Sequence, residues 1–270
     1  MNAVEVIRGD GPVVLGMPHT GTFVPEPIFA RLNARGRTLS DTDWHIHRLY
    51  EGLLPGATVV RATFHRYVVD ANRDPSGASL YPGQNTTGLV PLTDFDGAPI
   101  WDDAPDADEM QDRRRTWHDP YHAALSAELE RVRDRHGVVV LYDCHSIRSV
   151  IPHLFDGVLP DFNIGTYGGV TCAPAIEAAV RDTCAAAEGF THVLNGRFTG
   201  GWTTRTYGRP AEGMHAIQME LAQCTHLADE TAGWEYDPPR AARIRPVLGR
   251  ILGRLEDIAL SGALPGAQSD

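Results

Sequence analysis

Two short runs set the fold problem for this chain: VVVLYD at residues 138–143 and MHAIQMEL at residues 214–221. The first is apolar at successive positions and reads as a strand buried on both faces, in the middle of a sheet. The second alternates, with Ile217, Met219 and Leu221 on one side and Gln218 and Glu220 on the other. Further runs of strand length lie at 12–17, 57–62, 67–70, 162–165 and 191–195. Helical patterns separate them. One helix, capped by Ser40 or Asp41, is predicted to run to about Leu54, and a long one from about Asp108 to His136 with Gly137 as its stop. Two more span about 174–188 and 239–260. This alternation predicts an α/β fold, a three-layer sandwich with a mostly parallel or mixed central sheet and helices on both faces. With 270 residues, 42% of them hydrophobic, and no internal repeat, a single domain over residues 1–270 is expected. Residues 71–107 break the pattern. Rich in Gly, Pro, Asn and Asp, they far exceed the usual connection of roughly 4–6 residues, which predicts a functional or mobile loop.

Charge narrows the chemistry. The chain has 24 basic residues against 35 acidic ones, a formal charge of −11, and every basic residue is arginine. Without lysine there is no Schiff-base mechanism and no lysine-dependent phosphate loop. The acidic balance argues against nucleic-acid binding, which rests on many phosphate contacts. Residues 94–112 hold eight acids and no base, so much of the excess belongs to one segment. No run of about 18 apolar residues marks a membrane span, and MNAVEVIRGD lacks the features of a signal peptide, so a cytoplasmic protein without membrane or nucleic-acid partners is expected. Cys144, Cys172, Cys184 and Cys224 form no CxxC pair, which favours reduced thiols over a structural zinc knuckle.

In sheets of this kind, ligands bind beyond the carboxyl ends of the strands. Three such ends carry candidate groups: His19 in PHTG, Asp143-Cys144-His145, and Glu220. Each alone is as readily structural as functional. Together, two histidines and a carboxylate supply the three ligands of a catalytic divalent-metal site, which leaves one position for water. His19 and His145 are the natural pair. Asp43 in SDTDW is the preferred carboxylate, placed in the first turn of the helix that follows the His19 loop, with Asp41 as its rival and helix capping as the bland reading of both. His45 and His47 read as helix-face residues or supports of the ligands. Glu220, projecting from its strand opposite the packed face, is the candidate general base.

Arg73, Arg197 and Arg205 are expected in loops rich in Gly, Asn or Thr and suit the recognition of carboxylates, since a guanidinium can grip both oxygens at once. Two such anchors would select a small dicarboxylate; pairing with the protein's own acids is the alternative. Arg113-Arg114-Arg115, beside an acidic run, reads as structural. A nucleophile reading of Cys144-His145-Ser146 is less economical, because neighbours on a strand point to opposite faces and no GxSxG elbow is present.

These motifs together resemble the N-formylglutamate amidohydrolases. The resemblance is carried through most of the chain by MPHTGTFVP, LSDTDWHIHRLY, VVDANRDPSG with LYPGQNTTGLVP, LYDCHSIRS, NGRFTGGWTTRTYGRP and HAIQMELAQ. It implies a hydrolase of histidine degradation that cleaves N-formyl-L-glutamate to formate and L-glutamate with one divalent ion, Zn2+ or another such as Co2+, on a phosphorylase/hydrolase-like α/β sandwich. More distant likeness to zinc carboxypeptidases and aspartoacylase implies that His145 is a later ligand, that Asn72 and Arg73 bind substrate carboxylate, and that Glu220 promotes water. Those relatives begin with an HxxE motif, whereas Thr22 stands three residues after His19 here, so the carboxylate ligand must come from elsewhere.

The combined expectation has His19, Asp43 and His145 holding the ion and Glu220 moving the proton from water to the leaving amine. Arg73 would assist the developing oxyanion, and Arg73 with Arg197 or Arg205 would take the two carboxylates. A metalloamidase for another N-acyl amino acid or small peptide is the nearest alternative. A non-catalytic dicarboxylate-binding protein is an alternative of another class.

Overall fold

A computed structural model describes residues 2–80 and 83–264. Seven strands form one mixed sheet: β1 (Val4–Ile7), β2 (Val13–Met17), β3 (Thr58–Ala62), β4 (Val139–Ile147), β5 (Phe162–Gly165), β6 (His192–Leu194) and β7 (Met214–Ala222), in the order β1-β3-β2-β4-β7-β5-β6. The four central strands, β3, β2, β4 and β7, run parallel. β1 is antiparallel to β3 and β5 antiparallel to β7, so the antiparallel pairs flank the parallel centre.

Among the described residues, seven α-helical segments accompany the sheet: α1 (Glu26–Phe29), α2 (Ile46–Tyr50), α3 (Ala107–Arg113), α4 (Asp119–His136), α5 (Pro174–Ala185), α6 (Trp202–Tyr207) and α7 (Pro238–Leu260). One face of the sheet packs on α5 and α7 through residues such as Leu15, Val140, Tyr142, Cys144, Ile217 and Met219, which meet Ile176, Leu248 and Leu252. The opposite face packs on α4, where Val14, Val139, Leu141 and Ala216 meet Tyr121, Leu125 and Leu129. The three-layer α/β expectation holds, with the sheet mixed.

β4 and β7 pair along their whole lengths, with Asp143 beside Gln218 and His145 beside Glu220. β4 runs on to Ile147, past the expected end at Asp143. His145 is therefore fixed within a strand. Period-two alternation puts Cys144 in the α5/α7 core and sends Asp143 and His145 to the other face.

Several sequence expectations need correction. The helix expected from residue 40 or 41 to 54 is only Ile46–Tyr50, because the chain turns through Thr42–His45 and His45 adopts φ 60 at the helix entrance. Asp41 does not cap it; its Oδ2 accepts from the Phe95 backbone N–H at 3.0 Å. The run at 67–70 is a turn and not a strand, since buried Tyr67, Val68 and Val69 pack into the core on the α4 side of the sheet without a ladder partner. The segment around Arg205 is helical. The long helix before β4 is two α-helices joined through a π turn at Arg114–His118. Gly137 ends α4 as expected, with φ 73 and its N–H bonded to Arg133 O at 2.7 Å.

Candidate active site

Toward the carboxyl ends of β2, β4 and β7, three buried side chains converge. His19 Nδ1 and His145 Nδ1 lie 3.3 Å apart, His145 Nδ1 lies 3.2 Å from Asp43 Oδ2, and His19 Nδ1 lies 3.8 Å from the same oxygen. His19 follows β2 in a turn, His145 projects from β4, and Asp43 sits in the turn before α2. Among the described residues, this trio is the one set of His, Cys, Asp and Glu side chains close enough to share a cation, and Asp41 stands outside it.

Burial makes the local charges consequential. His19 is pushed down to about 4, because burial and the neighbouring Arg66 outweigh Asp70 and Asp43. Burial opposes charge on His145 too, yet Asp143, Asp43 and Glu220 hold it well above the ordinary histidine value. Asp43 is lowered: burial works against its ionisation, and Arg66 with the two histidines prevails.

The far nitrogen of each ring is also engaged. His19 donates from Nε2 to Asp70 Oδ1 at 2.6 Å, while His145 Nε2 lies 3.0 Å from Asp143 Oδ1 and 3.2 Å from Asn72 Nδ2. Asp70 is held well below the carboxylate range, since Arg73, His19 and Arg66 outweigh its burial. A divalent ion fits this donor set. Tetrahedral ligands about 2.0–2.1 Å from an ion stand about 3.3 Å from one another, which two of the three separations match, while the His19–Asp43 pair at 3.8 Å stands wider. Asp70, accepting from His19 Nε2, turns the lone pair of His19 Nδ1 toward the cluster, the usual support of a metal-ligating histidine.

Glu220 is 8% exposed and sits on the adjoining strand. Burial, opposed by His145, raises its carboxyl to about 8. Gln218 fixes it: the Gly201 N–H donates to Gln218 Oε1 at 2.7 Å, leaving Nε2 to donate to Glu220 Oε2 at 3.1 Å. Gly201 is required at this approach. A Cβ there would come within 2.3 Å of Asn72 Nδ2.

A cleft of ≈ 580 Å³, its open mouth included, leads down to this floor. His19, His145, Glu220, Asn72, Arg73 and Arg197 all line it. Asn72 is held by the Thr203 N–H, which donates to Oδ1 at 2.9 Å. Arg73 donates to Thr87 O and Thr87 Oγ1, both at 2.9 Å, and Arg197 to Leu154 O and Asn85 O, both at 2.9 Å. Arg205 departs from expectation. It lies on α6 and not in a loop, does not line the cleft, stacks on Tyr167 and donates to Gly200 O and Leu80 O. His45 donates from Nε2 to Trp234 O, and His47 lines a different hollow, beside Glu5 and Arg61.

The sequence reading missed three side chains of this site. Arg66, 5% exposed, donates to Asp43 Oδ1 at 3.0 Å, packs over Phe95 and lines the cleft. Asp70 and Gln218 complete the set. Arg66 and Asp70 flank a run that reads as a strand, and only the turn bends both toward the cluster. Gln218 was visible through its alternation with Glu220.

A cation-competent trio, a buried carboxylate beside it and arginines along one cleft make up the working parts of an α/β hydrolase centre. Comparison with known proteins gives the same class a narrower name. The family model for N-formylglutamate amidohydrolase matches residues 11–227. The chain is 47% identical over 252 residues to N-formylglutamate deformylase of Pseudomonas aeruginosa, covering 92% of this chain and 94% of that one. It is 44% identical over 251 residues to N-formylglutamate deformylase of Pseudomonas putida, covering 92% and 93%. The crystal structure of N-formylglutamate amidohydrolase from Ralstonia eutropha superposes with a TM-score of 0.82 at 26% identity, over 97% of this chain and all of that one. A gene product of Agrobacterium tumefaciens shares the fold at a TM-score of 0.72 and 21% identity, over 96% of each chain. The chain belongs to the N-formylglutamate amidohydrolase family.

Proposed function

We propose that this protein hydrolyses N-formyl-L-glutamate to formate and L-glutamate, in the cytoplasm as a step of histidine degradation. The observation that carries the reading is the trio of His19, Asp43 and His145 beside Glu220 at the foot of an arginine-lined cleft. These three residues would hold a divalent ion, Zn2+ being best matched to two nitrogens and one carboxylate oxygen. When bound, such an ion supplies Lewis acidity, polarising the formyl oxygen and making a water easier to deprotonate.

The chain's own groups account for the rest. Glu220, as carboxylate, takes a proton from the attacking water at the carboxyl oxygen not bonded to Gln218 while the water oxygen bonds to the formyl carbon, and later passes that proton to the amine nitrogen as the C–N bond breaks. Gln218 keeps the carboxylate aimed, so the same atom serves both transfers. Arg66, buried and already bonded to Asp43, faces the cleft and would stabilise the developing oxyanion, a role expected of Arg73 from the sequence. Arg73 and Arg197 then receive the two substrate carboxylates, with Asn72 aligning the chain between them. Arg205 serves the site from outside by joining the 199–200 turn to the loop at Leu80.

Formate release from N-formyl-L-glutamate, measured beside hydrolysis of the N-acetyl and N-succinyl analogues, tests this reading. Turnover of the formyl compound at least about a hundredfold faster supports it. Preference for a larger acyl group would transfer the site to another N-acyl amino acid, and tight binding without turnover would leave a dicarboxylate-binding protein.

A further inference from the structure

The π turn between α3 and α4 has a consequence at the site. A π turn holds one residue more than an α turn, so the side chains that follow are rotated by about 100° from an uninterrupted helix. Here the rotation brings His118 and His122 inward, with ring centroids 4.4 Å apart. His122 Nε2 lies 2.7 Å from Ala71 O, and His118 Nε2 lies 3.1 Å from Arg73 O. A carbonyl only accepts, so both nitrogens are donors. His122 is held neutral, its value pushed down to about 3 by burial and then by His118, which leaves Nδ1 to accept from Tyr207 O–H at 3.1 Å. Trp202, at the start of α6, packs against both rings.

The two held carbonyls flank one residue, Asn72. Its side chain reaches the other way, with Nδ2 3.2 Å from His145 Nε2 and Oδ1 receiving the Thr203 N–H. We infer that His118 and His122 are positioning residues that clamp the backbone on either side of Asn72 and thereby set its aim at His145 and at the cleft. This rests on the proposed hydrolysis but acts through a separate set of bonds. Neither ring touches the cluster.

A double-mutant cycle tests it, with His122→Leu made in the wild type and in Asn72→Ala, and His122→Gln as the conservative replacement that keeps a donor. Each protein is read by kcat/KM for formyl-glutamate, by Co2+ dissociation constant and by melting temperature. His122→Leu should cost about tenfold or more in turnover and in Co2+ affinity, the range for losing an outer support of a metal site. In the Asn72→Ala background it should cost less than about threefold, and His122→Gln should recover most of the loss. Equal losses in both backgrounds, or losses that track melting temperature alone, would overturn the clamp. If His122→Leu does not fold, His118→Leu runs the same cycle. Should the wild type release no formate, the functional reading falls while the Co2+ arm still decides the clamp; a wild type that neither binds Co2+ nor turns over ends both.

Discussion

The proposed proton transfers rest on a single carboxyl group, that of Glu220. Glu220→Gln keeps the shape and the bond to Gln218 but removes the proton carrier, so kcat should fall by about 10²–10⁴-fold, the contribution of a positioned acid–base group, with Co2+ binding preserved. Near-normal turnover in a formate-release assay would take Glu220 out of the role. Arg197→Met should raise KM by about tenfold or more while leaving kcat nearly intact, because a charge-assisted bond contributes roughly 1.5–3 kcal/mol and this one is assigned to substrate binding alone. Both histidines and Glu220 were legible in the sequence for one reason: they sit at or near strand ends, and strand ends can be read from apolar runs. Asp43 could not be separated from Asp41 that way, since the turn that divides them depends on the backbone reversal at His45. Arg66 and Asp70 were hidden more deeply. Their burial comes from a turn that the β-rich letters of YVVD disguise.

Among the elements, the start of α6 shows how closely the parts are fitted. Gly201→Ala would drive a Cβ into the Asn72 amide. Displacing a positioning group by an ångström can cost about 10²-fold, so kcat/KM should drop by that order while far-ultraviolet circular dichroism stays unchanged. Unchanged kinetics would show that Asn72 has room to move. In α7 the same logic is purely energetic. Leu252 is fully buried against the sheet, and Leu252→Ala should lower unfolding stability by about 2–5 kcal/mol in urea titrations. Sequence periodicity found α7, α5 and six of the seven strands, if 67–70 is set aside as a misreading. It missed β1, α1 and α6, which are short and gain their form from neighbours, and the apolar run VVVLYD by itself stops four residues short of the end of β4 at Ile147.

For the whole molecule, buried histidines link stability to acidity. His226 is fully buried, donates from Nε2 to Trp44 O, and is pushed down to about 4 by burial. An unfolded histidine takes up its proton near 6.5. Its contribution to stability is thus fully present above about pH 6.5 and is lost as pH falls toward 4, by about 1.4 kcal/mol per pH unit. Asp41, raised to about 7 by burial, works in the opposite sense over part of this range, so the informative quantity is a difference. The stability gap between wild type and His226→Gln should narrow from pH 7 to pH 5 by about 2 kcal/mol; a constant gap would contradict the linkage.

Molecular charge also takes a different meaning. The excess of acid is concentrated at 94–112, where Asp94, Asp106 and Glu109 accept bonds from Arg35, a helix N-terminus and Arg31. The cleft itself is lined by Arg66, Arg73 and Arg197, so a protein of net charge −11 still offers a cationic pocket to a dianion. What that pocket does depends most on the trio at its foot. The direct measurement is formate release by protein stripped with a strong chelator, then titrated with Zn2+ while bound metal is counted. Turnover should be lost on stripping and restored in proportion to one ion per chain, with His19→Ala and His145→Ala beyond rescue. Undiminished turnover by fully stripped protein would contradict it.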